Sequence, residues 1–418
     1  MKKISAILLA AVLLLALLGG CNGTAPAPAT EAPATQAPAT QAPATKAPET
    51  AAPTAAPTAE PTEAPTPEPT PEPTPEPTPE PTVDPNGTRV VTDVIGREVE
   101  IPNVVSRVGA MGSATRTISY AGGIDKVVGT SEMEMKGDVG MPFTYAFQDH
   151  LKGCTAIASG GSGNTYYDEA IAQLELDLII INTNNVETCD DLQEKFGVPV
   201  LAVYADRFNS PNLTNSILLV GEALDCMEHA EMVVAKIQEW NAELKNLTKD
   251  IPDDQKPTVY LGAVSFSGGH GFCGTFCNYA PLMAINAVNL ADSLGEKGGV
   301  EISMEQVIEW DPDIIFLNPG NMSLVNDDYE DNPDAIDSLR AVQEGRVYAQ
   351  VNFNKYSTNM ELAIVDAYYA GTIIYPEAFK DIDFAAKADE IFNVMIGMDF
   401  LDILEANGLG FGPITIGD

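Results

Sequence analysis

EQVIEWDPDIIFLNPGN, residues 305–321, reads as a short helix feeding a buried strand. Val307, Ile308 and Trp310 give the helix one apolar face. Asp311-Pro312 stops it, because proline lacks an N–H and restricts the residue before it. Ile314-Ile315-Phe316-Leu317 is a continuous apolar run, the pattern of a strand covered on both faces. Asn318-Pro319-Gly320-Asn321 is a turn at the strand's carboxyl end.

The pattern has an earlier copy. Residues 169–185 read EAIAQLELDLIIINTNN, and the offset between the copies is 136 residues without a gap. In each, a glutamate (Glu169, Glu305) is followed eight residues later by an aspartate (Asp177, Asp313). Four apolar residues and an asparagine (Asn182, Asn318) come next. The matched register points to an internal duplication and to two similar α/β lobes.

The folded part of the 418-residue chain is read as residues 87–418, more than one typical core holds. Met1-Lys2-Lys3 and the apolar run at 7–18 form a signal-peptide pattern too short to span a membrane comfortably. Leu18-Gly19-Gly20-Cys21 resembles the lipobox of bacterial lipoproteins, which implies cleavage before Cys21 and a lipid on its thiol. Residues 22–86 are APAT and PEPT units, unable to bury enough apolar surface to order themselves. They read as a proline-stiffened tether with an upper reach of about 200 Å, suited to a thick Gram-positive wall.

Net charge is −38, and the tether supplies little of it, with nine acidic residues against Lys46. The lobes themselves are acidic, which excludes nucleic-acid binding through a basic face. Beyond Cys21 there are Cys154, Cys189, Cys226, Cys273 and Cys277. That odd number argues against a complete disulfide framework.

Residues 88–101 alternate around Gly96 as a hairpin. Strands are expected at 104–111, 126–129 and 199–204, with Ser113 or Thr115 capping the first helix. Residues 138–165 read as irregular. At 225–247, apolar residues spaced by fours and threes predict an amphipathic helix of about six turns, capped by Asp225 with Glu228. Placed between the copies, it reads as a strut. A strand at 258–264 exits through a loop at 265–277. A helix at 279–288, a strand at 346–351 and helices at 359–375 and 384–404 complete the second lobe.

Several motifs in this order resemble the periplasmic-binding-protein family that delivers ferric siderophores, haem and cobalamin to ABC importers. They are Asp93-x-x-Gly96-Arg97, Val127-Val128-Gly129, Glu169…Asp177-Leu178-Ile179-Ile180, Glu305-Gln306…Pro312-Asp313-Ile314-Ile315 and Gly345-Arg346-Val347-Tyr348. The resemblance covers residues 88–405. It implies the class III fold: two Rossmann-like lobes joined by a single long helix, with the ligand cleft between them. The boundaries are then a lobe at 87–224, a bridging helix at 225–251 and a lobe at 252–418. It implies a monomer that serves a permease dimer with a cytoplasmic ATPase, carries no cofactor of its own and binds a metal chelate. It also implies a carboxylate on each lobe that docks to arginines of the membrane subunits, at the positions of Glu169 and Glu305.

In open α/β sheets ligands bind beyond the carboxyl ends of the strands. The corresponding loops offer Ser113 and Arg116, Glu132 and Met135, Asn182 and Asn184, His270 and Phe272, Asn318, and Asn354. Tyr145 and Tyr166 are aromatic candidates from the stretches between. Arg116, Lys136 and Lys355 are the few cations available to an anionic chelate. His270 with Cys273 and Cys277 gives H-x2-C-x3-C, either a transition-metal or haem ligand set or a hydrogen-bonding histidine beside two cysteines. A cleft enzyme and a free-metal binder are the rival readings. G-x-G-x-x-G opening a helix, a P-loop and G-x-S-x-G are all absent from the sequence.

Overall fold

The computed structural model describes residues 84–161, 164–205 and 207–417, within one compact unit. The signal peptide, Cys21 and the tether up to residue 83 lie outside the described residues.

The chain enters as an antiparallel hairpin, Thr88–Thr92 with Glu98–Pro102. Asp93 ties its turn together, accepting from the Ile95 and Arg97 amides and pairing with the Arg97 guanidinium at 3.0 Å. Five parallel strands follow, in the spatial order Thr155–Ala158, Val127–Ser131, Val108–Met111, Leu178–Asn182, Val200–Val203. The second sheet is also parallel, in the order Val288–Asn289, Thr258–Gly262, Ile314–Leu317, Val347–Ala349. In each sheet the strand order reverses beside the duplicated strand.

The duplication is carried into hydrogen bonding. Val108 pairs with Leu178, and Val259 with Ile314, the same register in both lobes. At the strands' amino ends Asp177 accepts from the Ser106 and Arg107 amides at 2.8 and 2.9 Å. Asp313 accepts from the Thr258 amide and hydroxyl, both at 2.8 Å. Each aspartate thus clamps the start of the neighbouring strand.

Alternation explains why these strands are apolar throughout. Leu178 and Ile180 face a large central core, whereas Ile179 and Ile181 face an outer one. Ile314 and Phe316 face the same central core, and Ile315 and Leu317 a third. The central core is continuous across both lobes because a 22-residue helix, Met227–Thr248, runs through it. Val233, Ile237, Trp240 and Leu244 are fully buried there.

Several expectations need correction. The bridging helix has Cys226 at its cap position with no side-chain cap bond, and Asp225 instead pairs with Arg89 at 3.5 Å. Ser113 stands at a cap position but makes no cap bond, since its left-handed backbone (φ 69°) turns its hydroxyl toward Asn182. Residues 138–165 contain the helices Pro142–Ala146 and Gln148–Leu151 and the edge strand Thr155–Ala158. The loop at 265–277 ends in a strand, Gly274–Cys277, antiparallel to Gly298–Glu301. The helix expected at 384–404 breaks at Gly397 into Phe384–Ile396 and Leu401–Ala406. Ile308, assigned to the buried face of its helix, is 40% exposed.

Candidate ligand cleft

Both sheets present their carboxyl strand ends to a common cleft. At the reversal point of the first sheet, Asn182 donates to Ser113 Oγ at 3.0 Å. At that of the second, Asn318 donates to Ser265 Oγ at 3.2 Å. The two duplicated asparagines therefore hold equivalent serines where such sheets bind ligands. Ser265 Oγ also accepts from Asn321 at 2.9 Å. With two N–H groups on its oxygen, the Ser265 hydroxyl proton is left to donate elsewhere. Gly112 permits the close approach at Ser113: its φ is +57°, and a Cβ there would lie 2.9 Å from the Asn182 carbonyl.

Residues 352–358 project from the second lobe and divide the cleft. On one side is a cavity of about 430 Å³ lined by Ser265, Phe266, Asn318, Asn321, Asn352 and Asn354 among others. On another is a space of about 510 Å³ between Met133, Lys136, Gly161 and Tyr356. A third, about 480 Å³, lies between Arg207 and Phe276, Cys277 and Lys297, with Asn354 shared.

The loop is fastened to the first lobe. Arg116 donates to the carbonyls of Tyr356 at 2.8 Å and Lys355 at 3.2 Å, and to Asn359 Oδ1 at 3.2 Å. Its guanidinium lies 4.8 Å over the Phe143 ring. Lys355 pairs with Asp138 at 2.7 Å. Deeper in, the Tyr120 hydroxyl donates to Glu361, and burial raises the pKa of that carboxyl. Burial likewise raises Glu134, against hydrogen bonds from Thr130 and Ser131.

The expected site residues divide. Asn318 and Asn354 line the cleft, with Lys136 and Lys355 beside it. Ser113 and Asn182 stand at the reversal point. Arg116 is buried and committed to the loop carbonyls, so it serves as an inter-lobe tie. Glu132 is exposed and accepts from the Tyr167 hydroxyl at 3.1 Å. Met135 is half-buried, and its neighbour Met133 lines the cleft instead. Asn184 is exposed.

Three aromatic candidates pack against the cores. Tyr145 meets Phe400 edge-on at 5.5 Å, on the central core. Tyr166 packs on the outer core of the first lobe. Phe272 is fully buried 5.8 Å from the Tyr260 ring.

His270 is held within its own loop. It stacks on Phe266 at 3.8 Å, its Nε2 donates to the Phe266 carbonyl at 2.8 Å, and its Nδ1 lies 3.5 Å from Glu301. Burial pushes the Cys273 thiol up to about 11, with Asp328, Glu301 and Glu305 adding to it. The Cys277 thiol donates to the Ala291 carbonyl at 3.1 Å. Among the described residues no three His, Cys, Asp or Glu side chains are arranged to hold a metal ion. Cys154, Cys189, Cys226, Cys273 and Cys277 are all free thiols.

Ser265, Asn321 and Asn352 are lining residues that were not singled out individually, although their loops were. Leu409 also lines the cleft, and nothing local in its sequence marks it. Glu169 and Glu305 are exposed in the first turns of the equivalent helices Asp168–Gln173 and Met304–Trp310.

Comparison with known proteins agrees with this architecture. The molybdate-binding protein MolA of Haemophilus influenzae is 19% identical over 333 residues, covering 73% of this chain and 90% of MolA. The crystal structure of MolA bound to molybdate superposes with a TM-score of 0.57 at 17% identity, over 74% of this chain and 98% of that one. The ABC transporter substrate-binding lipoprotein YvrC of Bacillus subtilis is 22% identical over 300 residues, 70% of this chain and 87% of YvrC. A periplasmic solute binding protein from Veillonella parvula gives a TM-score of 0.63 at 23% identity, over 77% of this chain and 97% of that one. Residues 125–350 match the family described as periplasmic binding protein. With two Rossmann-like lobes, one bridging helix and a cleft between them, this chain belongs to the periplasmic binding protein family, in its class III fold.

Proposed function

We propose that this chain is the lipid-anchored, extracytoplasmic binding component of an ABC importer, capturing a metal chelate in the inter-lobe cleft. The chelate is a ferric siderophore, haem or a corrinoid. The observation that carries this reading is a pair of adjoining cavities at the strand ends of the two lobes, about 430 Å³ beside the Asn318–Ser265 pair and about 510 Å³ beside Met133 and Gly161, both bordered by Lys355 and Tyr356. Cavities of that size match ligands well beyond a small ion. The tether and Cys21 would place the monomeric cleft outside the cell membrane. Glu169 and Glu305, two-fold equivalents, would meet arginines on a two-fold permease.

A tetrahedral oxyanion is the second reading. It is favoured by the serines and asparagines that line the 430 Å³ cavity beside Lys355, and by MolA, whose name records molybdate. Titration of the purified chain with cyanocobalamin, haemin, ferrioxamine B and molybdate separates the readings. The proposal expects one of the three chelates to bind and Asn318→Ala to weaken it, by about 1–3 kcal/mol if a buried hydrogen bond is lost. Binding of molybdate alone would favour the oxyanion. Indifference to all four would count against both.

A further inference from the structure

At the carboxyl end of the first sheet lies a closed polar cup. Thr115 donates to Thr130 Oγ1 at 2.7 Å, and Thr130 and Ser131 donate to Glu134 Oε2 at 2.7 and 2.8 Å. Arg116 completes it, and all five side chains are buried. They lie at or just beyond the carboxyl ends of the strands Val108–Met111 and Val127–Ser131, on the side of the sheet where ligands bind. The cup is filled by a residue of the opposite lobe. The Tyr356 phenol sits among Glu134, Ser131, the Ser113 main chain and Arg116, and burial pushes it up to about 12.

The fit is imperfect. Glu134 Oε1 is buried with no hydrogen-bond partner, and Tyr356 Oη, though close to Ser131 and the Ser113 main chain, makes a well-formed hydrogen bond to neither; such atoms are rare because they give up hydration without full replacement. Tyr356 and Ser357 are consecutive non-glycine residues with φ of 49° and 72°, a backbone that persists only when held. Here Arg116 holds two carbonyls and Asp138 holds Lys355.

Resting on the reading of the cleft as a ligand site, we propose that the cup of Thr115, Arg116, Thr130, Ser131 and Glu134 is the first lobe's half of that site, and that Tyr356 is its built-in occupant, displaced by ligand. Withdrawal of the loop joins the 430 and 510 Å³ cavities, which Lys355 and Tyr356 now separate. It also frees Arg116 from the Lys355 and Tyr356 carbonyls. The incoming group is therefore of phenol size and carries an oxygen acceptor, neutral or singly anionic.

The test uses a thiol placed under the phenol. Ser131→Cys is combined with Tyr356, Tyr356→Phe or Tyr356→Ala in the full chain, and its iodoacetamide labelling is read by peptide mass spectrometry. Labelling should be at least tenfold faster with Tyr356→Ala and unchanged with Tyr356→Phe, whereas equal rates in all three overturn the proposal. If Ser131→Cys does not fold, hydrogen exchange at residues 127–134 is compared between the parent and Tyr356→Ala, with Ser131 intact. Faster exchange in Tyr356→Ala supports the occupant, and equal exchange overturns it. Cyanocobalamin, haemin and ferrioxamine B are then titrated. A chelate that binds should bind Tyr356→Ala threefold or more tightly. A tenfold loss would make Tyr356 a ligand contact and end the occupant claim. If no chelate binds either protein, the chelate reading fails while the labelling rates still decide the cup.

Discussion

Asp177 and Asp313 show how one residue type fixes a strand from outside it. Each caps the amino end of its neighbour, and Asp313 also meets Arg340 at 2.9 Å. Burial alone would raise the Asp313 carboxyl, but the Thr258 hydrogen bonds and Arg340 outweigh it and hold it low. Its contribution is therefore present at neutral pH and lost as pH falls through that lowered value. Asp313→Ala should lower stability by about 1–3 kcal/mol in urea unfolding at pH 7, with a smaller loss at pH 3. Asp366 has the opposite sign. It is fully buried, one oxygen accepts from the Val351 amide at 3.2 Å, the other has no partner, and burial raises its pKa well above the ordinary carboxylate range. The stability of its protonated form is complete below the unfolded-state value and declines as pH rises. Asp366→Asn should raise the melting temperature at pH 7 and leave it unchanged near pH 4; a lower value at pH 7 would contradict the assignment.

At the scale of elements, the bridging helix makes the two lobes one cooperative body. The central core passes from Val108 and Ile180 through Trp240 and Leu244 to Val259 and Phe316. Calorimetry should show a single transition, and Trp240→Ala should lower stability by about 3–5 kcal/mol; two separate transitions would contradict a shared core. This helix and the duplicated strands were legible in the sequence because both are long or doubly buried, so their periodicity is strong. Thr155–Ala158 and Gly274–Cys277 were not, because four-residue strands at a sheet edge or in a two-stranded pair carry almost no pattern. In the site, the strand-end loops could be read from topology, and with them Asn182 and Asn318. The direction of an aromatic side chain could not. Tyr145 and Phe272 lie close to glycine-bearing segments, yet face inward onto Phe400 and Tyr260. Nor does local sequence show that Arg116 reaches carbonyls about 240 residues away.

In the whole molecule, the inter-lobe cleft is proposed to capture the ligand, and Glu169 and Glu305, exposed on the equivalent helices of the two lobes, are proposed to meet the permease. Glu169 and Glu305 lie outside the cleft lining, so the proposed docking role can be tested apart from ligand binding. The most direct measurement is uptake of whichever chelate binds, in cells that carry the cognate permease and either this chain or its Glu169→Lys/Glu305→Lys variant, alongside the affinity of each purified protein. The account predicts that the variant abolishes uptake while its affinity stays within about twofold of the parent, because exposed rim charges set register more than cargo binding. Normal uptake by the variant, or lost affinity, would contradict it.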